Sequence, residues 1–548
     1  MVTSSVSADP DVSRRFTTVA LAALVVASFV VRLWLLQTEA MGGSFGGVDA
    51  DGYLRYGELL VQDDRWRWTV KAIRYPWQGR PYLLPPLYPV FLSLFVLVSD
   101  AYAYWAAVGQ MALNAASVLA VFVIGTSLHS RRAGLIAALA FAFWLPNIWT
   151  FALFIQEQLY LPLLLAAFAL LVRATATNAS PLVFACAGVA FALAALTRAM
   201  PMYFIFPAAL GYVVLTRDRP AVRQAAALVA GFMVVTGVYS VWLSLQVREL
   251  VYIENHAGIH IYQFGGTRPR GVPSHANIIA QLADAFLLDP RGFLGLWWSY
   301  VAALFHVSGD RWLHFYRAST QEGAAFAKFV AHAGIDLPFM ASVVLAPFGA
   351  VLARRRREAA LLAFWVVLVV LLTSLSGAGG VRYRAPFEPH LIALASVVIA
   401  GAWRRPGRRA LMLAIVAALA AGVVVVRQLP RVAPARANYG LQDSGGPDSS
   451  RYVVSGRVGV NVVPRDGVLE MRVQSIEPAS APARVLFWID GRHVAERVLE
   501  PEAQPLRLRV TGQHPGVHYV EVQAVGDDGR PVRVELDLAP TIVVPAGS

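Results

Sequence analysis

Apolar runs long enough to cross a lipid bilayer recur along residues 17–427, and a fold surrounded by water has no way to hide so many of them. The wider composition agrees. Of 548 residues, 57% are hydrophobic and 15% are charged, with a mean hydropathy of +0.54. Soluble chains carry roughly a quarter charged residues. Past residue 428 the character changes. Residues 429–450 are rich in Pro, Gly and Ser and read as a linker; from Arg451 onward, short alternating runs are punctuated by turn signals. Asp490-Gly491 sits at a hairpin position, and Asp527-Asp528-Gly529 marks a second one. The expectation is an α-helical polytopic membrane domain over 1–428, a linker over 429–450, and an all-β Ig-like sandwich over 451–548 as an accessory domain.

The net charge of +13 does not point to nucleic acid. The arginines lie in short clusters between apolar runs, where a topology signal belongs, and no aromatic-interleaved basic surface accompanies them. Cys186, the only cysteine, lies inside an apolar segment, so no disulfide framework, zinc knuckle or thiol chemistry is implied. Arg14 and Arg15 precede about twenty apolar residues, longer than the core of a cleaved signal peptide, which predicts a retained first span.

Orientation follows from the basic clusters. With Arg14 and Arg15 in the cytoplasm of a bacterial cell, the clusters at 131–132, 173, 217–223, 354–357 and 404–409 stay on the same side only if even numbers of crossings separate them. That parity makes 83–98 and 293–307 interfacial or re-entrant rather than spanning. The remaining spans fall near 17–36, 103–127, 133–152, 157–173, 181–197, 201–216, 224–246, 338–353, 360–377, 387–403 and 409–427, about eleven in all on the usual length rule. The chain then sits in the bacterial inner membrane with its C-terminal domain in the periplasm. Five segments face outward: the loop after the first span, 147–157, 197–201, 248–336 and 377–386.

Those outer segments hold the ionisable groups that topology does not explain. Gly46-Gly47-Val48-Asp49-Ala50-Asp51-Gly52-Tyr53 places two carboxylates at i and i+2 beside the membrane, fit for a general base or a cation, or simply for capping a helix that runs through Glu58. Arg65, Arg67, Lys71, Arg74 and Arg80 follow among Trp66, Trp68 and Trp77, a pattern suited to a lipid head group or a handled phosphate. Glu157 lies at the outer end of a span, where an ionisable group is either functional or a solvated helix end. Arg198, Arg382 and Arg384 break the positive-inside pattern; an anionic ligand explains them, with snorkelling as the rival. Snorkelling is the expectation for Arg32, and helix-to-helix bonding for Gln110 and Asn114. His256 and His260 have helical metal-pair spacing, but Gly258 weakens a helix between them and no third ligand has a defined position.

Taken in order, Asp49-x-x-x-Tyr53, Pro85-Pro86-Leu87-Tyr88-Pro89, Arg131-Arg132-Ala133-Gly134, Glu157-Gln158-Leu159, Leu196-Thr197-Arg198 and Arg382-Tyr383-Arg384-Ala385-Pro386 form a pattern. It resembles bacterial C-type glycosyltransferases related to family 39, a group that includes protein O-mannosyltransferases, with lipid A aminoarabinose transferases and lipopolysaccharide galacturonosyltransferases as relatives. The resemblance covers roughly 15–405, and residues 254–266 resemble the large periplasmic loop of that group.

The resemblance implies transfer of a sugar from a polyprenyl-phosphate donor to an acceptor hydroxyl on a glycan, lipid or protein, with inversion and without a nucleotide sugar. Asp49 matches the catalytic carboxylate and Glu157 a second acid. Arg198, Arg382, Arg384 and Arg74 would meet the donor phosphate, and Tyr53, Tyr88 and His256 the acceptor or substrate. Family members usually carry adjacent acids in the first loop. Asp-Ala-Asp departs from that and leaves both Asp49 and Asp51 in play. No cofactor is required by the pattern, and a divalent cation remains compatible with it. A transporter, the chief alternative, would show inverted repeats with broken helices in matching halves, which this chain lacks. A lipid-glycan ligase or polymerase would differ in moving a whole oligosaccharide.

Overall fold

A computed structural model describes residues 14–37, 48–62, 65–66, 74–77, 80–149, 154–248, 250–253, 283, 286–287, 290–305, 336–353, 356–375, 381–402, 439–443, 451–463, 468–475, 483–489, 492–499, 506–511, 518–526, 533–537 and 542–543. The chain divides into two compact units. One comprises 1–258, 304–374 and 378–428, the other 259–303, 375–377 and 429–548.

The first unit is helical. Its elements are α1 (Arg14–Gln37), α2 (Val48–Leu59), α3 (Leu87–Val96), α4 (Tyr102–Leu128), α5 (Arg131–Ala142), α6 (Leu145–Trp149), α7 (Glu157–Thr177), α8 (Pro181–Ala195), α9 (Pro201–Thr216) and α10 (Arg219–Val247). After α11 (Pro290–Phe305), which ends in this unit, come α12 (Leu337–Leu352), α13 (Arg357–Leu375), a 3-10 turn at Val381–Arg384, and α14 (Glu388–Ala402). Two short hairpins, β1 (Val61–Gln62) with β2 (Arg65–Trp66) and β3 (Arg74–Trp77) with β4 (Arg80–Leu83), follow α2.

Among the described residues, five helices are long and apolar enough to cross a membrane: α1, α4, α7, α10 and α13. This is a multi-pass membrane protein. Helix α7 is its centre and α1 its flank, since 67% of the apolar window of α7 is buried in the protein against 11% for α1. The outward residues of α1 include Phe16, Val19, Val26, Val30 and Trp34, a face suited to lipid. Helices α8, α9, α12 and α14 are apolar but shorter, and they lie where spans are expected. The expected span at 409–427 lies outside the described residues.

One expected span is not a single helix. Residues 133–152 break between α5 and α6, and Pro146 supplies the reason. It has no N–H to offer the Ala142 carbonyl four residues back, and its ring crowds that carbonyl. The hydroxyl of Ser28 on α1 donates to the Ala142 carbonyl instead, at 3.2 Å. Arg32 also departs from expectation. It is fully buried rather than reaching for the interface, because Ser28 one turn earlier accepts from its Nη1 through both carbonyl (2.9 Å) and hydroxyl.

Helix ends are set by local chemistry. Asp218 caps α10 by accepting from the Ala221 amide at 2.8 Å, and α7 and α9 stop at Asn178 and Arg217 in the left-handed conformation, with φ of 49° and 55°. Packing within the bundle relies on small residues. A Cβ on Gly188 of α8 would sit 2.1 Å from the Leu228 carbonyl oxygen of α10, and one on Gly231 would sit 2.2 Å from that of Ala185.

The second unit holds β5 (Tyr439–Asp443), β6 (Arg451–Val463), β7 (Val468–Ser475), β8 (Ala483–Ile489), β9 (Arg492–Leu499), β10 (Leu506–Thr511), β11 (His518–Gly526), β12 (Arg533–Asp537) and β13 (Ile542–Val543). They form one antiparallel hydrogen-bonded network in the order β10-β7-β12-β6-β11-β8-β9, with β5 and β13 also on β6. Alternation places Val485, Phe487 and Ile489 opposite Ala524, Val522 and Val520, all buried on one face. The hairpin expected at Asp490-Gly491 forms, with Ile489 opposite Arg492. The hairpin expected at Asp527-Asp528-Gly529 does not. Strand β6 is long enough to pair with β11 along 457–462 and with β12 along 451–455 on one edge, opposite β5, so the connection leads from one stretch of β6 to the next instead of folding back onto β11.

The Gly188/Gly231 contact generates a test. Gly188→Val and Gly231→Val should each lower stability by about 1–3 kcal/mol or more, because main-chain atoms receive the added carbon. Thermal melting of purified protein in detergent checks this, and wild-type melting in both variants would refute the close α8–α10 approach.

Candidate active site

Helix α2 separates the two first-loop carboxylates by register. At 100° per residue, position 49 shares a face with Tyr53 and Tyr56, both buried, whereas position 51 shares one with the exposed Arg55 and Glu58. The buried face packs on α3, where a Cβ on Gly57 would lie 3.0 Å from Leu92 Cβ. Position 49 is thus on the face of α2 turned toward the bundle.

Tyr53 carries that face to α7. Its hydroxyl donates to Gln156 Oε1 at 3.2 Å, immediately before Glu157, and its ring meets that of Tyr88 edge-on at 5.1 Å. Tyr88 is fully buried on α3 and donates to Gln110 Oε1 on α4. One turn on, Asn114 Nδ2 donates to the Gln110 carbonyl at 2.9 Å, and across to Gln158 on α7 through both its carbonyl (3.1 Å) and its side-chain oxygen (3.2 Å). The Gln158 carbonyl is available because Pro162, four residues later, cannot donate to it. Gln110 and Asn114 therefore join helices, as their shared face implied.

Glu157 is buried at the start of α7 and accepts from Arg198 Nη1 at 2.7 Å, a charge-assisted bond with Arg198 only 15% exposed. Arg198 belongs to the turn between α8 and α9, and its guanidinium also lies 5.4 Å from the Tyr383 ring centroid. The same turn receives the Leu87 amide of α3 at the Leu196 carbonyl, 2.9 Å. Segments that arginine parity placed on one face thus meet at one end of the bundle: α2, the start of α7, the 197–201 turn and the 381–386 turn. The other end lies about 25 Å along α4 from Gln110, at 1.5 Å per residue. There Arg356 Nη1 donates to the Ser127 carbonyl at 2.8 Å.

Arg384 is fully buried, stacked 4.1 Å over Phe339 with its Nε donating to the Leu304 carbonyl, so it ties Leu304 and α12 to the 3-10 turn. For Arg382 and Arg74 the backbone places them on the 3-10 turn and on β3 respectively. His256 lies outside the described residues. Among those described, no group of three or more His, Cys, Asp or Glu side chains gathers as a metal cluster.

The sequence reading passed over Glu388. It is buried at the start of α14, accepts from Trp144 Nε1 at 2.7 Å, and lies within the electrostatic reach of Arg384. An acid opening an apolar span carries the same signal that singled out Glu157. Next to it, His390 is fully buried with its ring 4.5 Å from that of Phe168.

Solved structures with some likeness to this chain include the apo oligosaccharyltransferase of Archaeoglobus fulgidus, at 15% identity and a TM-score of 0.45, covering 74% of this chain and 52% of that one. The same enzyme with an inhibitory peptide and a dolichol-phosphate gives 14% and 0.40, covering 75% and 54%. ArnT from Cupriavidus metallidurans bound to undecaprenyl phosphate gives 16% and 0.43, covering 77% and 67%. The chain spans about half the length of the archaeal enzyme. No curated protein sequence matches it. Residues 84–244, which carry Tyr88, Glu157 and Arg198 but neither Asp49 nor Arg384, match the family model of dolichyl-phosphate-mannose-protein mannosyltransferases.

Proposed function

We propose that this protein is a membrane glycosyltransferase that moves a sugar from a polyprenyl-phosphate donor to an acceptor hydroxyl at the periplasmic face. The observation that carries the reading is the Glu157–Arg198 pair. It lies inside the segment that matches a lipid-phosphate-sugar transferase family, and α2 brings its carboxylate-bearing face to it through Tyr53. In this reading Asp49 accepts the acceptor hydroxyl's proton as the oxygen attacks the anomeric carbon from the side opposite the phosphate. Polyprenyl phosphate then leaves with inversion at that carbon. Glu157, fixed by Arg198, orients the acceptor or holds a divalent cation. Arg198 and Arg382, with Arg74 nearer the lipid head groups, offset the charge on the departing phosphate, and Arg384 completes that cationic rim while anchoring Leu304.

The same reading takes the fold as a C-type glycosyltransferase of about eleven spans in a bacterial inner membrane. The β network is an Ig-like accessory domain in the periplasm that engages the acceptor or a partner. The buried stripe shared by β8 and β11 supports a packed β core there.

Asp49→Asn should abolish transfer of radiolabelled sugar from polyprenyl-phosphate donors, since loss of a general base typically costs about a hundred- to ten-thousandfold in rate. Asp51→Asn should cost far less, as position 51 shares the exposed face of α2. Equal loss in both variants, mimicked by a chelator, would instead assign the pair to a shared cation. Wild-type transfer by both would remove the base from this loop. Separately, Arg198→Ala should raise the KM for donor about ten- to a hundredfold, the size of a lost charge-assisted contact of about 1.5–3 kcal/mol. An unchanged donor KM in Arg198→Ala would contradict its phosphate role.

A further inference from the structure

Three consecutive residues at the start of α7 are each held by a different element. Gln156 accepts from Tyr53 of α2 at 3.2 Å, Glu157 from Arg198 of the α8–α9 turn at 2.7 Å, and Gln158 from Asn114 of α4 at 3.1 and 3.2 Å. The two glutamine ties close on each other. Asn114 donates to the Gln110 carbonyl, the Gln110 side chain accepts from Tyr88, and the Tyr88 ring abuts that of Tyr53 at 5.1 Å. The result is a circuit through α2, α3, α4 and α7 with Glu157 enclosed in it.

We infer that Tyr53 and Gln156 are positioning residues that fix the spacing between the carboxylate-bearing face of α2 and Glu157, with the Gln158–Asn114–Gln110–Tyr88 branch holding the circuit closed. The inference rests on the glycosyl-transfer reading and adds to it a device that makes the two acids act at one distance. Burial argues for this role over contact with substrate in every member of the circuit but Gln156, which is half-buried. Tyr88, Gln110 and Asn114 are fully buried, Gln158 is 2% exposed and Tyr53 8%. The Tyr88 hydroxyl, the Gln110 oxygens, the Asn114 amide nitrogen and the Gln158 oxygens are engaged with one another at a depth where lipid offers no substitute partner. Tyr53 also stands one turn after position 49 on the same face, so any shift of its hydroxyl relative to Gln156 moves position 49 relative to Glu157 by a similar amount. A displacement of about 1 Å in a reacting group is enough to cost a large factor in rate.

The test uses full-length protein in lipid nanodiscs and a panel of radiolabelled polyprenyl-phosphate monosaccharides, with Asp49→Asn as reference. Tyr53→Phe and Gln156→Met should each lower kcat roughly three- to tenfold through displacement of the acids, while donor KM stays unchanged and the melting temperature falls by no more than a few degrees, the size of one neutral hydrogen bond. The double variant should be no slower than either single one, because both remove the same bond. If Asp49→Asn is inactive but Tyr53→Phe and Gln156→Met turn over at the wild-type rate, the positioning inference is wrong and the catalytic reading stands. The inference also fails if kcat and melting temperature fall together with additive losses, since the circuit then serves stability alone. No turnover of any donor by wild-type protein, or full turnover by Asp49→Asn, would instead overturn the catalytic reading beneath it.

Discussion

Lipid supplies no hydrogen bond, so a carbonyl that a proline frees inside this bundle is costly unless another helix supplies a donor, and at two positions one does. Pro162 frees the Gln158 carbonyl, and Asn114 of α4 takes it; Pro146 interrupts the helix at the Ala142 carbonyl, and Ser28 of α1 takes that. A further tie at a helix start is the indole of Trp365, which donates to the Pro386 carbonyl at 2.9 Å. Each repair ties together helices distant in sequence at one defined height. Pro146 and Pro162, which weaken single helices, thereby fix the height of α1 against α5 and of α4 against α7. The glycines of α8 and α10 contribute the complementary constraint, a backbone approach too close for any side chain.

The candidate site follows from those repairs. Because Asn114 is fixed to Gln158, the first turn of α7 cannot rotate freely, and Glu157 stays aimed at the α8–α9 turn where Arg198 meets it. Arg198 in turn reaches Tyr383, and Arg384 next to it grips Leu304 and Phe339, which brings the 3-10 turn, Leu304 and the start of α12 to the same place. Glu157, Arg198 and Arg384 thus gather at the end of the bundle opposite the one where Arg356 meets Ser127. This is the economical arrangement for a reaction whose donor is an anionic lipid and whose chemistry takes place at a membrane surface.

Much of this was legible in the sequence, for physical reasons that also mark where legibility stopped. Long apolar runs placed the helices, because crossing lipid demands them. Arginine parity predicted that Glu157, Arg198 and the 381–386 turn share a face, and their contacts place them together. The break at Pro146 was hidden because hydrophobicity does not register a missing N–H. The tie from Tyr53 to Gln156 spans 103 residues and that from Asn114 to Gln158 spans 44, and no local pattern encodes such distances. Glu388 was overlooked because it opens an apolar span, where an acid reads as a helix end until its bond to Trp144 is seen. In the β unit, alternation identified the buried faces of β8 and β11, but the length of β6, which redirects the connection at 527–529, acts through pairing rather than composition.

The central claim is that a donor phosphate is handled where α2, the start of α7 and the α8–α9 turn meet. Cryo-electron microscopy of the full-length protein in nanodiscs with added undecaprenyl phosphate tests it directly. The account predicts phosphate density within hydrogen-bonding distance of Arg198, on the side of the Glu157–Arg198 pair that faces the N-terminus of α2. Phosphate density at the opposite end, beside Ser127 and Arg356, with none near Arg198, would contradict it.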